Sequence, residues 1–302
     1  MSTRPAMNLL FVLLYSVTAS SVGAFSASVD GSVPSARSNP LVDPDTRSPI
    51  SRVRYSQVLD GLHALYPPTE LEARTALSRK DGYWPYVREG IDPPESNTYG
   101  EFDFFFFSQL LDRAHGLWKT HNGEAIADWS DKVFIDIGSG TGRLVAAAAA
   151  LHPSWKACRG IELLPTIHES AVEALGLCGT PPSLATPGQQ LSMAPVELVC
   201  GSFDDPHANL GDADLIFMFS SCLNPELLTQ LSVAIGRECR PGTLIITTDY
   251  KLDLAGTVPT SSGGLAVFQL EQVDEVNGWC WCTGGKSTAH IHRVTQSARG
   301  PV

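Results

Sequence analysis

Positive charge is scarce in this chain: 21 Lys and Arg stand against 32 Asp and Glu, for a formal net charge of -11 over 302 residues. A protein that grips nucleic acid by its phosphates needs a cationic surface. The balance argues against general nucleic-acid binding, and no direct nucleic-acid partner is expected. Missing too is any apolar run of the ~20 residues that a membrane-spanning helix requires. The mature chain is therefore expected to carry no membrane span. A disulfide framework is also lacking. The 7 cysteines are odd in number, scattered over positions 158, 178, 200, 222, 239, 280 and 282, and most lie in apolar runs, where free Cys behaves as a small hydrophobe. No internal repeat is visible. What is abundant is apolar residue, 43% of the chain, enough to bury the core of one large domain or two small ones.

The amino end reads as an address. Arg4 precedes the apolar run Leu9-Leu10-Phe11-Val12-Leu13-Leu14-Tyr15, and small residues follow down to Val22-Gly23-Ala24. That is the charged region, apolar region and cleavage site of a signal peptide, expected over residues 1–24. Residues 25–54 are rich in Ser and Pro, lack periodicity and carry Arg37, Arg47, Arg52 and Arg54. They are expected to be a disordered leader. The Ala24-Phe25 junction with its Ser/Arg-rich sequel resembles the two-part plastid presequence of algae with secondary plastids, which implies a plastid location. Secretion or residence in the endomembrane system is the alternative.

Residues 55–97 are expected to form a helical extension. Val58, Leu59, Leu62 and Leu65 recur at helical spacing up to the break at Pro67-Pro68, and 80–98 is loop-like, with Gly82, Pro85, Gly90, Pro93 and Pro94. Glu101 to about His121 reads as a helix whose aromatic run, Phe102 with Phe104 to Phe107, belongs in a core. Strands and helices then alternate: strands over 133–137, 156–161, 196–200, 214–219 and 244–248, helices over 143–151, 166–177 and 225–238, and a terminal hairpin from 265–273 and 279–294. A loop is expected over 179–195. The alternation predicts an α/β fold, a Rossmann-like, mostly parallel seven-stranded sheet with helices on both faces. The catalytic domain is expected over 98–295, followed by a tail, 296–302.

The chemistry centres on Asp136-Ile137-Gly138-Ser139-Gly140-Thr141-Gly142, between a strand and a helix. In such a unit the turn lies at the carboxyl edge of the sheet, where ligands bind, and glycine lets the backbone approach a ligand that a Cβ would repel. A dinucleotide fingerprint is G-x-G-x-x-G. Here Gly138, Gly140 and Gly142 give G-x-G-x-G, and Arg143 stands where the third dinucleotide glycine belongs. Glu162 ends the second strand 20 residues past Gly142, close to the ~20 expected for a carboxylate that holds ribose hydroxyls.

These residues resemble the class I S-adenosylmethionine (SAM)-dependent methyltransferases. Asp136, Gly138, Gly140 and Gly142 match their first motif and Glu162 their second. Gly201-Ser202-Phe203-Asp204-Asp205 matches the adenine-contacting loop after strand three, and Arg240-Pro241-Gly242-Thr243 precedes strand five as is typical there. Thr98-Tyr99-Gly100-Glu101 is most similar to the Y-G-E segment of the non-SET histone-lysine (disruptor-of-telomeric-silencing type) methyltransferases. The resemblance implies SAM as cofactor. Tyr99 and Glu101 would close over its methionine end, Gly138 would meet the amino-acid moiety, Glu162 the ribose, and Ser202 and Phe203 the adenine. It also implies methyl transfer to a protein lysine or another amine.

The match departs at Ser202, where that family has Asp, and after strand four, where it has Asn and this chain has Phe219-Ser220-Ser221-Cys222. The histone is therefore not carried over, and the partner is a methyl acceptor of open identity. Positioning supplies much of the rate in such a transfer, so no obligatory base is expected. The candidates near the site are Glu101, Ser220, Ser221 and Asn224. As alternatives, Glu101 would be a first-turn helix residue and Asn224 a helix cap; Tyr250, just past strand five, would either border the acceptor or, as expected, be a packing residue. Two rival functions stay open: an NAD(P)-dependent oxidoreductase, which the Gly142-Arg143 spacing disfavours, and a noncatalytic module retaining the fold.

No metal site is assigned. Cys280-Trp281-Cys282 and His290-Ile291-His292 each place paired residues on one strand face. Their spacings are not those of structural zinc, so ordinary strand residues are expected.

Overall fold

The computed structural model describes residues 52–118, 123–186, 188–259 and 263–299. The expected signal peptide, nearly all of the leader, and residues 300–302 of the expected tail lie outside these ranges. Helix α1 (Arg52–Leu65) already begins at Arg52. Arg52 and Arg54, counted with the leader from sequence, are therefore helical. Arg54 is pinned by hydrogen bonds from its guanidinium to the carbonyls of Ala150 (2.8 Å) and Ser192 (2.8 Å).

The chain breaks at Pro67-Pro68 as expected and resumes as α2 (Leu71–Gly82). The loop expected over 80–98 holds a further short helix, α3 (Trp84–Glu89). Pro85 lies in its first turn, where the missing N–H costs nothing, and Gly90 ends it in the left-handed conformation. Helix α4 (Phe104–Leu117) starts three residues later than expected, because the Asp103 carboxylate accepts from the Phe106 amide at 2.8 Å and caps it. Glu101 is thereby excluded from the helix.

Strand β1 (Val133–Ile137), helix α5 (Arg143–Leu151), strand β2 (Ala157–Glu162) and helix α6 (Pro165–Gly176) follow in the expected order. The loop expected next contains a small hairpin, β3 (Ser183–Thr186) with β4 (Gln189–Ser192), lying off the main sheet. Strands β5 (Val196–Cys200), β6 (Leu215–Met218) and β7 (Leu244–Thr248), with α7 (Pro225–Glu238) between the last two, complete the alternation. The terminal hairpin is β9 (Leu265–Cys280) and β10 (Gly285–Gln296), so its turn lies at 281–284 rather than at the expected 274–278, and Cys282, expected on a strand, sits in the turn.

One strand escaped the sequence: β8 (Ala255–Pro259), which makes the main sheet eight-stranded among the described residues. Its Gly256 and Pro259 argue against a strand, but β8 lies at the sheet edge, where Pro is tolerated. The order is β5-β2-β1-β6-β7-β10-β9-β8. The first five strands are parallel in the doubly wound order 3-2-1-4-5. The last three are antiparallel, with β10 inserted beside β7.

Alternate side chains of the central strands enter two cores. Phe134, Leu215, Phe217, Leu244 and Ile246 face the layer of α1, α4 and α5. Ile135, Ile216, Met218 and Ile245 face α7. Most of the aromatic run belongs to the first core: Phe102, Phe106 and Phe107 are fully buried, Phe102 and Phe107 meet Phe217 with ring centroids 5.2 and 5.1 Å apart, and Phe105, expected in the core, is exposed on the outer face of α4.

Candidate functional site

The carboxyl edge of the parallel strands is built first by the glycine turn. Gly138, Gly140 and Gly142 all have positive φ, at 75°, 54° and 77°. This is the left-handed region that side chains avoid. Two of them are also closely approached. A Cβ on Gly140 would overlap the Tyr99 ring, 2.8 Å from Cδ2, and one on Gly142 would lie 2.8 Å from Leu175. At Gly138 a Cβ would meet nothing within 4 Å. The backbone there faces open space at the edge where ligands of such sheets bind.

Glu162 ties this turn to β2. One carboxylate oxygen accepts from the Gly140 amide at 2.7 Å and the other from the Leu164 amide at 2.8 Å. Burial raises its pKa, and the two amides act against that shift. Each oxygen keeps further acceptor capacity, as a pair of ribose hydroxyls requires. Asp136, buried at the end of β1, has its pKa held well above the usual carboxylate range, first by burial and then by the charge of Glu162.

The structure brings the Tyr99-Gly100-Glu101 segment onto the turn. Tyr99 lies against Gly140, and its hydroxyl meets Thr141 Oγ1 at 2.9 Å and donates to Glu101 Oε1 at 3.0 Å. Burial, followed by the Glu101 charge, raises the Tyr99 pKa, so the phenol keeps its proton. Glu101 sits between two guanidinium groups, with Arg74 Nε at 2.6 Å and Arg143 Nε at 3.6 Å. Arg143 also donates to the Phe102 carbonyl at 3.0 Å. Tyr66 closes the set, its hydroxyl donating to the Thr141 carbonyl at 2.9 Å. Glu101 is thus a buried ion-pair centre, and its alternative role in a helical first turn is overturned by the start of α4 at Phe104.

Other candidates divide. Ser220 is fully buried, and its hydroxyl donates to the Thr248 carbonyl (2.7 Å) and accepts from the Thr248 amide (2.9 Å). It staples β6 to β7 and has no hydrogen left for a substrate. Asn224 caps α7 by accepting from the Leu227 amide at 2.8 Å. Ser221 is half-buried and donates to Asp249. Tyr250 is 46% exposed just past β7, which does not fit a packing role. In the loop after β5, the Asp205 carboxylate accepts from the Ser202 amide at 2.9 Å, and Phe203 packs partly into the α7-side core.

Sequence reasoning missed Arg74, Tyr66, Thr141 and Asp249. Nothing local in α2 or just past α1 marks the first two, since their partners are 27 and 75 residues away. Thr141 lay within the motif but between its glycines. Asp249 carried a signal, an acidic residue ending the fifth strand. It has φ 63° and accepts from Ser287 Oγ (2.9 Å) and the Thr288 amide (3.0 Å) as well as from Ser221.

The cysteine and histidine pairs do not converge. Cys280 pairs with Gly285 at the tip of the hairpin. His290 lies five residues further along β10, roughly 16 Å at the ~3.3 Å rise of a strand. No cluster of metal-ligating residues occurs among the described residues.

No protein-family model matches this chain, and no curated protein matches it. Solved structures with a similar fold include the rRNA methyltransferase AviRa from Streptomyces viridochromogenes, at 12% identity and TM-score 0.44, over 65% of this chain and 86% of that one. Another is phosphoethanolamine N-methyltransferase 1 from Haemonchus contortus, at 10% identity and TM-score 0.42, over 83% and 50%. A putative methylase from Haemophilus influenzae aligns at 15% identity and TM-score 0.37, over 56% and 82%. At this distance no residue role passes from them to this chain, and each role stated above rests on its own contacts.

Proposed function

We propose that this chain is a SAM-dependent methyltransferase that modifies an amine, with protein lysine as the first acceptor class to test. The observation that carries it is the docking of Tyr99-Gly100-Glu101 onto the Gly138–Gly142 turn, across about 40 residues of sequence. The glycine turn resembles the class I SAM-dependent methyltransferases, the Tyr99-Gly100-Glu101 segment resembles the narrower non-SET lysine family among them, and the two meet in space.

The residues fit the cofactor. Gly138 leaves room at the carboxyl edge, and Glu162 offers two preorganised acceptors for ribose hydroxyls. Phe203 offers a ring beside the adenine position, and Tyr99 covers the turn. SAM, when bound, supplies an activated methyl group on a sulfonium. The chain's task is then to align the acceptor and exclude water. Ser221, Asp249 and Tyr250, at the ends of β6 and β7, border the space where an acceptor would approach. Asp249 is the carboxylate there that could take up a proton from an ammonium acceptor. Arg143 is committed to Glu101 and Phe102, in a place where a dinucleotide site needs a glycine for close helix–strand packing.

Isothermal titration with SAM, with its demethylated product and with NAD(P) tests this function. SAM and product should bind and NAD(P) should not. Glu162→Ala should weaken SAM by ~1.5–3 kcal/mol, the worth of charge-assisted hydrogen bonds. Binding of NAD(P) without SAM would overturn the proposal. SAM binding without label transfer into any protein or small amine of a cell extract would leave the noncatalytic module as the better account.

A further inference from the structure

The hairpin between β9 and β10 reaches past the sheet. Ala289 to Arg293 of β10 pair with Thr248 to Leu244 of β7, so Gly285 to Thr288 continue beyond the carboxyl end of β7. The tip, Trp281 to Gly284, therefore overhangs the edge that carries the glycine turn. Two cysteines lie at this tip with their sulfurs 2.9 Å apart, Cys280 fully buried and Cys282 half-buried. Among the described residues they are the one pair of free cysteines in hydrogen-bond contact.

Both cysteines touch the Tyr99–Asp103 loop. A Cβ at Gly100 would lie 3.9 Å from Cys282 Cβ, so the tip packs directly on the loop. The Cys280 sulfur lies close to the backbone amide of Asp103, the residue that caps α4. In the third cross-strand pair from the tip, Gly278 is packed so closely on Phe106 that no Cβ would fit. The dithiol thus bridges the tip to the same loop whose Tyr99 and Glu101 lock the glycine turn. The hydrogen bond between the two sulfurs lets the pair share one proton: it lowers the pKa of Cys280, against burial, and raises that of Cys282. A thiolate of this kind is the form that reacts in disulfide exchange.

We propose that Cys280 and Cys282 form a reversible dithiol–disulfide site that sets how firmly the Tyr99–Asp103 loop is held. The oxidant class is a small-molecule disulfide such as glutathione disulfide. When the shared proton sits on Cys280, the more accessible Cys282 sulfur, as the thiolate, attacks one glutathione sulfur and expels the first glutathione thiolate. Cys280 then attacks the Cys282 sulfur and expels the second. One Cys–Cys bond forms and one glutathione disulfide is reduced to two thiols, which take up the two protons leaving the protein. Closing the bond draws the two sulfurs together and shifts the Cys282 side chain that packs on Gly100, so the loop loosens.

The inference does not depend on what ligand the glycine turn holds, and its test does not use one. The full chain is equilibrated with glutathione disulfide or with dithiothreitol, free thiols are alkylated, and the peptide carrying both cysteines is weighed. Amide hydrogen exchange is read over residues 98–103. The expected result is a peptide lacking two hydrogens and refractory to alkylation after oxidation, restored by dithiothreitol, with several-fold faster exchange over 98–103 in the oxidised protein. In Cys282→Ser, which cannot close the bond, the exchange should be the same under both conditions. Two alkylated thiols under oxidising conditions would overturn the proposal, and so would a disulfide that leaves exchange over 98–103 unchanged. Failure of SAM to bind would count against the methyltransferase function and would leave these readouts intact.

Discussion

Two polar networks share the carboxyl edge of the sheet, and they are built differently. Around β1 and β2 the network is ionic and buried. Glu101 sits between Arg74 and Arg143, and Glu162 accepts two backbone amides. Around β6 and β7 it is made of hydroxyls. Ser220, Ser221, Thr248, Ser287 and Thr288 gather near the single carboxylate Asp249. The first network fixes backbone geometry before any ligand arrives, since fixed charges and amides cannot rotate away from it. The second can exchange hydroxyl donors at little cost. A rigid half for an invariant cofactor and an adaptable half for a variable acceptor is the division of labour the proposed reaction needs.

Breaking the ionic half should cost most. Glu101→Ala leaves Arg74 and Arg143 without their counter-ion in a nearly buried place, with side-chain exposures of 8% and 13%. The expected loss is about 3 kcal/mol of stability by denaturant unfolding. A loss near zero would show that the loop is not tied to the turn through charge.

Gly140→Ala should follow, at about 1–3 kcal/mol, because the residue is held at φ 54° and its Cβ would displace Tyr99. Tyr99→Ala in the same chain should recover part of that loss, and a double-mutant cycle measures the coupling. Strict additivity would mean that the ring does not sit on the turn in solution.

Asp136→Asn sharpens the comparison through pH. The folded protein keeps the Asp136 proton at pH values where the unfolded chain has released it, because burial and Glu162 raise its pKa. Stability contributed by this group is therefore complete at acid pH and declines as pH rises past the ordinary carboxylate range. Asn has no proton to lose, so the variant should gain on the wild type steadily from acid to neutral pH in unfolding experiments. A difference that does not change with pH would mean that Asp136 ionises normally in the fold.

The smallest effect is expected on the hydroxyl side. Asn224→Ala should cost about 1 kcal/mol of stability, as loss of a helix cap does, and should leave the methyl-transfer rate unchanged. A fall in rate without a fall in stability would return Asn224 to the acceptor site.

How much of this was legible varies by element. The β1 turn, α5, β5, β7 and the Asn224 cap were legible because each rests on local rules: hydrophobic periodicity, glycine spacing and capping chemistry. Strand β8 was hidden because its Gly256 and Pro259 oppose a strand locally, and only its edge position permits one. The α4 start was misplaced because Asp103 competes with Glu101 as the N-terminal signal, and the cap bond to Phe106 decides between them. Among the catalytic candidates, Ser220 lost its role to a hydrogen-bond pair with Thr248, a residue 28 positions away that no local pattern connects to it.

By itself the sequence determined the alternation of strands and helices, the glycine turn with its acidic partner Glu162, and the burial of Phe102, Phe104, Phe106 and Phe107. These follow from residue type and spacing along the chain. Only the tertiary structure decided that Tyr99 lies on Gly140, that Arg74 and Arg143 hold Glu101, and that a cysteine pair leans on the same loop. Those contacts join elements 27 to about 180 residues apart. They depend on how strands order themselves in the sheet, which is set by packing two cores at once rather than by any local signal.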